Sequence, residues 1–399
     1  MAGGGNNKRK RQTAAGAKAG EVAGVADVAK AAKVAKTPTK TPAKSQTKAA
    51  EPIGTTGTTT PGRTTPAKES FLVTAGTYER ILYGIEARFA GERLEFSAQF
   101  IFPAHIGCIK AVGCGGRYLA SGSTDEVVRV YDLKKRVELG TLHEHRGSVT
   151  GLQFHGRTHL LSASEDGAIC VFRTKDWEVL KVLRGHTGPV NALAIHPSGK
   201  LALSVGRDRT IILWNLLTGQ RASRTKTPQV GELVAWSPSG AHYAVAYAAE
   251  MQVHAVGAPA GAPAATIFAR QRILALLVVT HAGADYVLCG CQDKRVHVYS
   301  AAGGAPLAAI PCHDNRIKGL CAVDVVFPDG STRPVVVSIS SDGWIKAWDF
   351  AAIAARLRPG EGEGEGEGEG EAPELRIDPL AAYNADARLT CVGVSNNDF

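Results

Sequence analysis

Four histidines of this chain recur in one local setting, each followed along the sequence by a serine and then by an aspartate in a turn. These are the residue types of a hydrolase triad, in which an imidazole activates a serine nucleophile. The sets are His105, Ser121 or Ser123 and Asp125; His145, Ser162 or Ser164 and Asp166; His186, Ser204 and Asp208; and His313, Ser340 and Asp342. An enzyme needs one activated nucleophile, whereas a repeated fold needs a buried hydrogen-bond network in every unit. The recurrence therefore predicts a structural network, and we expect no catalytic residue.

The cysteines offer the other possible chemistry. Cys289 and Cys291 are separated by one residue, and Cys312 directly precedes His313. Structural zinc sites use paired C-x-x-C spacing, which these residues lack, and they fall on strand-like runs. We interpret them as buried small residues and expect no metal site. Neither a P-loop nor a Gly-x-Gly-x-x-Gly at a strand–helix junction is present, so no cofactor, no enzyme activity and no small-molecule substrate are expected.

The elements that must position these residues are short apolar runs that end in an aromatic residue. The aromatic ends are Tyr131, Phe172, Trp214, Tyr299 and Trp348. The first two intervals are 41 and 42 residues, and the next, of 85, is about twice as long. A period of about 40–45 residues that opens on Gly-His and closes on Trp-Asp is typical of WD40 β-propellers. We expect Trp214 and Trp348 to belong to the same blade network as the histidines and aspartates.

Each repeat has the pattern of four short antiparallel strands, which form one blade of a propeller. Six units follow His105, and residues 71–102 supply only three more strands. The missing strand is expected within residues 387–395, so that one blade is built from both ends of the chain and no sheet edge is left open. We predict an all-β fold, a seven-bladed WD40 β-propeller over residues 71–399, with its first blade closed by N- and C-terminal strands.

The N-terminal residues differ in composition from the repeats. Residues 1–69 consist mainly of Ala, Gly, Lys, Thr and Pro, and they hold 13 Lys+Arg against four acids. Such a segment cannot bury enough apolar surface to fold, so we predict a disordered basic tail. Its cluster Lys8, Arg9, Lys10 and Arg11 is typical of a nuclear localisation signal or a nucleic-acid contact. A solvated charge run without a specific role is the alternative.

Two further segments bear on loop structure and on membrane association. Residues 358–373 contain alternating Glu and Gly, which predicts a flexible acidic insert in a surface loop. The longest strongly apolar run, Ile273 to Val279, has seven residues. Crossing a bilayer takes ~20 apolar residues, so we expect no membrane association.

Several stretches are more specific than the generic repeat. Residues 160–216 read LLSASEDGAICVFRTKDWEVLKVLRGHTGPVNALAIHPSGKLALSVGRDRTIILWNL, and residues 234–240 read VAWSPSG. With these stretches the chain resembles the PAK-interacting-protein family of nucleolar WD-repeat proteins. The resemblance implies a non-catalytic scaffold in the nucleus and nucleolus that assembles the large (60S) ribosomal subunit by binding pre-60S proteins and rRNA. It also implies an alternative, a signalling adaptor that binds and inhibits a p21-activated-type protein kinase.

A binding face can be proposed from the topology of a propeller. The turns between second and third strands and the loops that lead into each first strand meet on one face. We expect Arg207, Arg209, Lys294 and Arg295 on that face, as contacts for phosphates or an acidic partner. The alternative is that they are ordinary solvated turn residues. Binding through lysines of the tail would contact phosphates without reading sequence and should weaken with salt.

Overall fold

The computed structural model describes residues 69–257, 263–357 and 372–396. The predicted disordered tail, with its cluster Lys8–Arg11, and nearly all of the predicted Glu/Gly insert lie outside these residues. Within them the chain forms seven four-stranded antiparallel sheets and one short α-helix. No helix of this described part is long and apolar enough to span a membrane. The prediction of an all-β, seven-bladed propeller is confirmed.

The strands follow one another blade by blade. The first blade starts with β1 (Ser70–Thr77), β2 (Ile81–Ala90) and β3 (Arg93–Pro103). The second contains β4 (Ile109–Gly115), β5 (Tyr118–Ser123), β6 (Val128–Asp132) and β7 (Val137–Leu142). The third contains β8 (Val149–His155), β9 (His159–Ser164), β10 (Ala168–Arg173) and β11 (Val179–Arg184). The fourth contains β12 (Val190–Ile195), β13 (Leu201–Gly206), β14 (Thr210–Asn215) and β15 (Gln220–Lys226).

The remaining strands continue the same order. The fifth blade contains β16 (Leu233–Trp236), β17 (His242–Ala246), β18 (Glu250–Ala255) and β19 (Ala265–Phe268). The sixth contains β20 (Ile273–His281), β21 (Ala284–Cys291), β22 (Arg295–Ser300) and β23 (Pro306–Pro311). The seventh contains β24 (Ile317–Val326), β25 (Thr332–Ser340), β26 (Trp344–Asp349) and β27 (Ala381–Asn384), with α1 (Phe350–Ala354) between the last two strands. The last strand of the described chain is β28 (Leu389–Asn396).

The turn between second and third strands is built from an aspartate and the residue after it. In the third blade, Asp166 Oδ1 accepts a hydrogen bond from the backbone N–H of Ala168 at 2.8 Å. The intervening Gly167 has a φ of +81°, a conformation that costs glycine little. Arg209 takes the same place in the fourth blade with a φ of +54°, although it is not glycine. Its side chain is exposed, so the turn presents a cation to solvent.

Neighbouring blades are joined by hydrogen bonds between their innermost strands. These strands bulge near their start, and the bulged side chain reaches the next blade. Thr150 Oγ1 donates to the carbonyl of Val190 at 2.7 Å. Asn191 Nδ2 donates in the same way to the carbonyl of Gly231 at 2.8 Å. The same sequence position therefore links each of these blades to the one that follows it.

The ring closes where the two ends of the described chain meet. β28 pairs antiparallel with β1 and packs between β24 and β4, so it is the innermost strand of the first blade. Thr390 Oγ1, just after its start, donates to the carbonyl of Ile109 in the second blade at 2.5 Å. The predicted closure by N- and C-terminal strands is thereby confirmed.

The hydrophobic core lies between blades rather than inside any one of them. Each of the seven apolar clusters in the described residues combines side chains from two adjacent blades. Leu161 and Ile169 of the third blade pack with Ile212 and Trp214 of the fourth, for example, and all four side chains are buried. One blade alone would expose these faces to water, so the ring folds as a unit.

One element that was not predicted crosses from the seventh blade to the sixth. Between β26 and β27 the chain forms α1, capped by Asp349, and residues 372–377 then run along the outer edge of the sixth blade. The carbonyl of Pro373, at the end of the predicted insert, accepts from Ala309 N–H at 2.9 Å, and Leu375 N–H donates to the Ala309 carbonyl at 2.9 Å. We call residues 372–377 the strap. Its apolar side chains cover the outer side of the sixth blade.

Candidate functional site

The His–Ser–Asp set of the fourth blade forms a connected network. His186 Nε2 lies 2.8 Å from Ser204 Oγ, and His186 Nδ1 lies 3.0 Å from Asp208 Oδ1. Trp214 Nε1 donates to the same serine oxygen at 2.8 Å, so the predicted tryptophan lies in the network. Asp208 also accepts from the backbone N–H of Thr187 at 3.0 Å. The network ties the second and third strands of the blade, β13 and β14, to the loop that enters it.

The second and third blades repeat this geometry. His105 lies 2.8 Å from Ser121 Oγ and 3.0 Å from Asp125 Oδ2. In the third blade, His145 lies 2.6 Å from Ser162 Oγ and 3.1 Å from Asp166 Oδ2. Of the two serines considered in each blade, the structure brings the first to the histidine.

The seventh blade departs from the pattern. His313 Nε2 lies 2.8 Å from Ser338 Oγ, which also accepts from Trp348 Nε1 at 2.9 Å. Ser340, considered as the partner from the sequence, instead donates to the carbonyl of Arg316 at 3.1 Å. Among the described residues, His313 Nδ1 and Asp342 Oδ2 are buried without a hydrogen-bond partner. The structure therefore shows no hydrogen bond between Asp342 and His313.

The electrostatics of the fourth-blade network favour a neutral imidazole beside an ionised aspartate. Burial lowers the pKa of His186, and it lowers the pKa of His313 to about 4. For Asp208, burial alone would raise the pKa, but hydrogen bonds from Thr187, His186 and Thr210 outweigh burial and lower it. The serine at the centre of this network, Ser204, is fully buried, so a substrate has no path to its hydroxyl. This geometry suits a structural role.

The four cations predicted for the binding face have different surroundings. Arg207 and Arg209 are exposed in the turn between β13 and β14. Lys294 is exposed in the equivalent turn of the sixth blade, and the fifth blade separates it from the two arginines. Arg295 forms an ion pair with Glu374 of the strap at 3.0 Å. Three of the four cations are therefore exposed, whereas Arg295 is paired with a carboxylate of the same chain.

Sequence reasoning missed a group of cations at the inner edge of the same face. Lys318 is the bulged residue of β24 and is half-buried. Burial lowers the pKa of Lys318, and the nearby guanidinium groups of Arg316, Arg388 and Arg272 lower it further. These residues belong to three different blades or their entry loops, so only the ring brings them together. We call Arg316, Lys318 and Arg388 the inner cation cluster.

The inner cation cluster has little compensating negative charge. Arg272 is paired with Glu232 at 2.7 Å. Arg388 stacks over the ring of Tyr78, with 5.2 Å from its guanidinium carbon to the ring centroid. In the described part of the chain, no carboxylate forms an ion pair with any of the three members of the cluster. The signal in the sequence that could have indicated the cluster is the position of its basic residues, just before or at the start of innermost strands.

The fold and the repeated network together define a WD40-repeat β-propeller. A family described as "WD domain, G-beta repeat" matches residues 96–132, 136–173 and 177–215. The first match runs from β3 through β6, so a sequence repeat takes one outer strand from one blade and three strands from the next. This offset interlocks the blades.

Comparison with known proteins identifies the family. "p21-activated protein kinase-interacting protein 1-like" of Xenopus laevis is 38% identical over 281 residues, which is 70% of this chain and 75% of that protein. The human "p21-activated protein kinase-interacting protein 1" is 34% identical over 326 residues, 80% of this chain and 76% of that protein. "Protein MAK11" of Saccharomyces cerevisiae is 33% identical over 217 residues, 48% of this chain and 52% of that protein. The chain belongs to the family of p21-activated protein kinase-interacting proteins.

Proposed function

We propose that this protein is a non-catalytic scaffold that acts in the nucleolar assembly of the large (60S) ribosomal subunit by binding proteins and rRNA of pre-60S particles. The observation that carries the proposal is the inner cation cluster, three basic side chains without an ion pair among the described residues. Exposed Arg207 and Arg209 extend positive charge over the same face. Membership of the family of p21-activated protein kinase-interacting proteins supports a scaffold, because the match to WD40 repeats covers residues 96–132, 136–173 and 177–215.

The energetics of the inner cation cluster favour an anionic partner. Neighbouring like charges repel, and the half-buried Lys318 is screened by water less than a surface lysine is. A phosphate of precursor rRNA would supply the missing countercharge and accept hydrogen bonds from both lysine and arginine. Contacts of this kind position a particle without reading its sequence. The cost of keeping the cations together in the free protein indicates a binding role rather than a stabilising one.

The test compares two triple variants of the full-length protein. One carries Arg316→Gln, Lys318→Gln and Arg388→Gln in the inner cation cluster. The matched control carries Lys134→Gln, Lys135→Gln and Lys200→Gln, which removes three exposed lysines from turns on the opposite face. Binding to a single-stranded precursor-rRNA fragment is measured from low to moderate salt, together with thermal melts.

The cluster variant should bind more weakly, with a slope of log K against log salt that is smaller by up to ~2, since each lost contact to single-stranded RNA removes ~0.7. Its melting temperature should not fall, because the substitutions remove mutual repulsion. The control should bind as the unaltered protein does. Equal binding by both variants, or a lower melting temperature in the cluster variant, would contradict the proposed role.

Delivery to the nucleolus is part of the same proposal. Lys8, Arg9, Lys10 and Arg11 would act as the nuclear import signal. Replacing the four by alanine should shift a fluorescently tagged protein from the nucleus toward the cytoplasm, while the isolated propeller keeps its affinity for rRNA. Nuclear accumulation that persists in the variant would show that import uses another route.

A second candidate function is binding and inhibition of a p21-activated-type protein kinase. It is favoured by the names of relatives from Xenopus laevis and human, which describe them as kinase-interacting. Kinase activity measured with increasing amounts of the purified protein separates the two functions. Inhibition near equimolar amounts, with no rRNA in the purified complex, would favour this adaptor role.

A further inference from the structure

The sixth blade replaces every member of the His–Ser network except its aspartate. Cys289 occupies the place that Ser121 has in the second blade, four residues before the turn aspartate, and Cys291 follows two residues later. The position of the network histidine, four residues before the innermost strand, is Ala269. A different histidine, His297, enters from the third strand. These changes exchange hydroxyl groups for thiols and bring an imidazole to them from another direction.

Three side chains of this blade, those of Cys291, Asp293 and His297, converge on one point, and Cys289 lies beside Cys291. Cys291 Sγ, a carboxylate oxygen of Asp293 and a ring nitrogen of His297 all lie within 4.8 Å of one another. His297 Nε2 is 2.7 Å from Asp293 Oδ2, and Cys291 Sγ is 3.9 Å from Cys289 Sγ. Cys289 is also the direct cross-strand partner of His297 in the pairing of β21 with β22.

This donor set matches the coordination preference of Zn²⁺. Zinc binds thiolate, imidazole and carboxylate ligands, usually four in a tetrahedron. Two thiolates at Zn–S distances of about 2.3 Å in a tetrahedron lie about 3.8 Å apart, close to the separation of the two sulfurs here. Hard cations such as Mg²⁺ and Ca²⁺ prefer oxygen ligands, so the thiols argue against them.

The surroundings also suit a bound ion. Cys289 and Cys291 are buried, whereas the side chains of His297 and Asp293 are 19% and 26% exposed to solvent. An ion can therefore enter from solvent on the imidazole and carboxylate side. The other carboxylate oxygen of Asp293 accepts from the backbone N–H of Arg295 at 3.1 Å, which holds the aspartate in its turn.

We propose that Cys291, Asp293 and His297 bind one Zn²⁺ ion in the sixth blade, with the neighbouring thiol of Cys289 as the fourth ligand. From the sequence no metal site is expected, because the cysteines lack paired C-x-x-C spacing and fall on strand-like runs; Cys312 and His313 are the other ligands that the sequence suggests. In the structure Cys312 Sγ faces the carbonyl of Lys294, at 3.8 Å, and the partners are Asp293 and His297. The ion would fix the turn that carries Lys294 on the binding face. This inference is independent of the proposed ribosomal function.

The experiment uses the full chain, purified without an affinity tag and stripped of metal by a chelator under reducing conditions. Titration with Co²⁺ should produce a thiolate-to-cobalt charge-transfer band and the d–d bands of tetrahedral Co²⁺, both lost when Zn²⁺ is added. Elemental analysis after incubation with Zn²⁺ and removal of excess should give about one ion per chain.

Variants assign the ligands. Cys291→Ser and His297→Gln should each weaken Zn²⁺ binding by more than about tenfold and remove the rise in melting temperature that Zn²⁺ produces. Cys170→Ser is the matched control, because Cys170 is buried on the third strand of the third blade, away from the four ligands. It should bind Zn²⁺ as the unaltered protein does.

Two results would overturn the proposal. One is the absence of a thiolate-to-cobalt band in the unaltered protein, which does not depend on whether any variant folds. The other is equal Zn²⁺ binding by the unaltered protein, Cys291→Ser and His297→Gln, which would place the ion elsewhere.

Discussion

The aspartates of the fourth and seventh blades provide a matched pair for testing the network. Asp208 accepts hydrogen bonds from Thr187 N–H and Thr210 Oγ1 and lies 3.0 Å from His186 Nδ1. Asp342 accepts from the backbone N–H of Trp344 at 3.0 Å, while its other oxygen is buried without a partner among the described residues. The two side chains hold equivalent turns but have different numbers of partners.

The expected magnitudes follow from those partners. Asp208→Ala leaves a buried imidazole and a backbone N–H without an acceptor, which should lower the free energy of unfolding by roughly 3 kcal/mol. Asp342→Ala removes one turn hydrogen bond and should cost about 1 kcal/mol. For a fold of about 300 residues, with an unfolding entropy of ~0.6 kcal/mol/K, the difference of about 2 kcal/mol corresponds to ~3 °C in melting temperature.

The assay is thermal melting of both variants beside the unaltered protein, followed by circular dichroism, with urea unfolding as a second measure. Asp208→Ala should melt below Asp342→Ala, and both below the unaltered protein. Equal losses in the two variants would refute the reasoning, because the partners of Asp208 would then contribute nothing beyond the turn itself.

Three further predictions concern pH, closure and the tail. Burial lowers the pKa of His313 to about 4, against ~6.5 in an unfolded chain, so the unfolded state takes up the proton first. The free energy of unfolding should therefore fall as pH drops from ~6.5 toward 4, and His313→Gln should reduce that slope in pH-dependent melts. Ending the chain at Arg388 removes β28 and should lower the melting temperature sharply and cause self-association in size-exclusion chromatography; an unchanged melt would contradict the closure. Deleting residues 1–69 should leave the melt unchanged but reduce nuclear accumulation, and a large loss of stability would show that the tail is folded.

The number of blades and their closure could be predicted because each blade repeats the same local chemistry. An aspartate turn, an apolar third strand and an aromatic end recur in the sequence, and their period is visible without knowing any contact. The need to cover both faces of every blade then requires a closed ring, which selects the C-terminal strand as the partner of β1.

What could not be predicted depends on contacts between distant residues. Nothing in the spacing of His313 and Asp342 shows that these two side chains form no hydrogen bond. The pairing of Arg295 with Glu374 depends on the strap, which has no counterpart in the other repeats. The inner cation cluster requires the ring to be closed before Arg388 approaches Lys318. The repeated sequence pattern predicts the features that all blades share. The features found in one blade only, or formed between distant blades, had to be read from the structure.

The proposal that the protein acts on large-subunit precursors is tested by sedimentation of the tagged protein from nuclear extract on a density gradient at moderate salt, with identification of the RNA and proteins in its peak. We expect comigration with large-subunit precursor rRNA and ribosomal proteins, and a shift to light fractions for the variant that lacks the inner cation cluster. Migration of the unaltered protein as a light species with a kinase and no rRNA would contradict it.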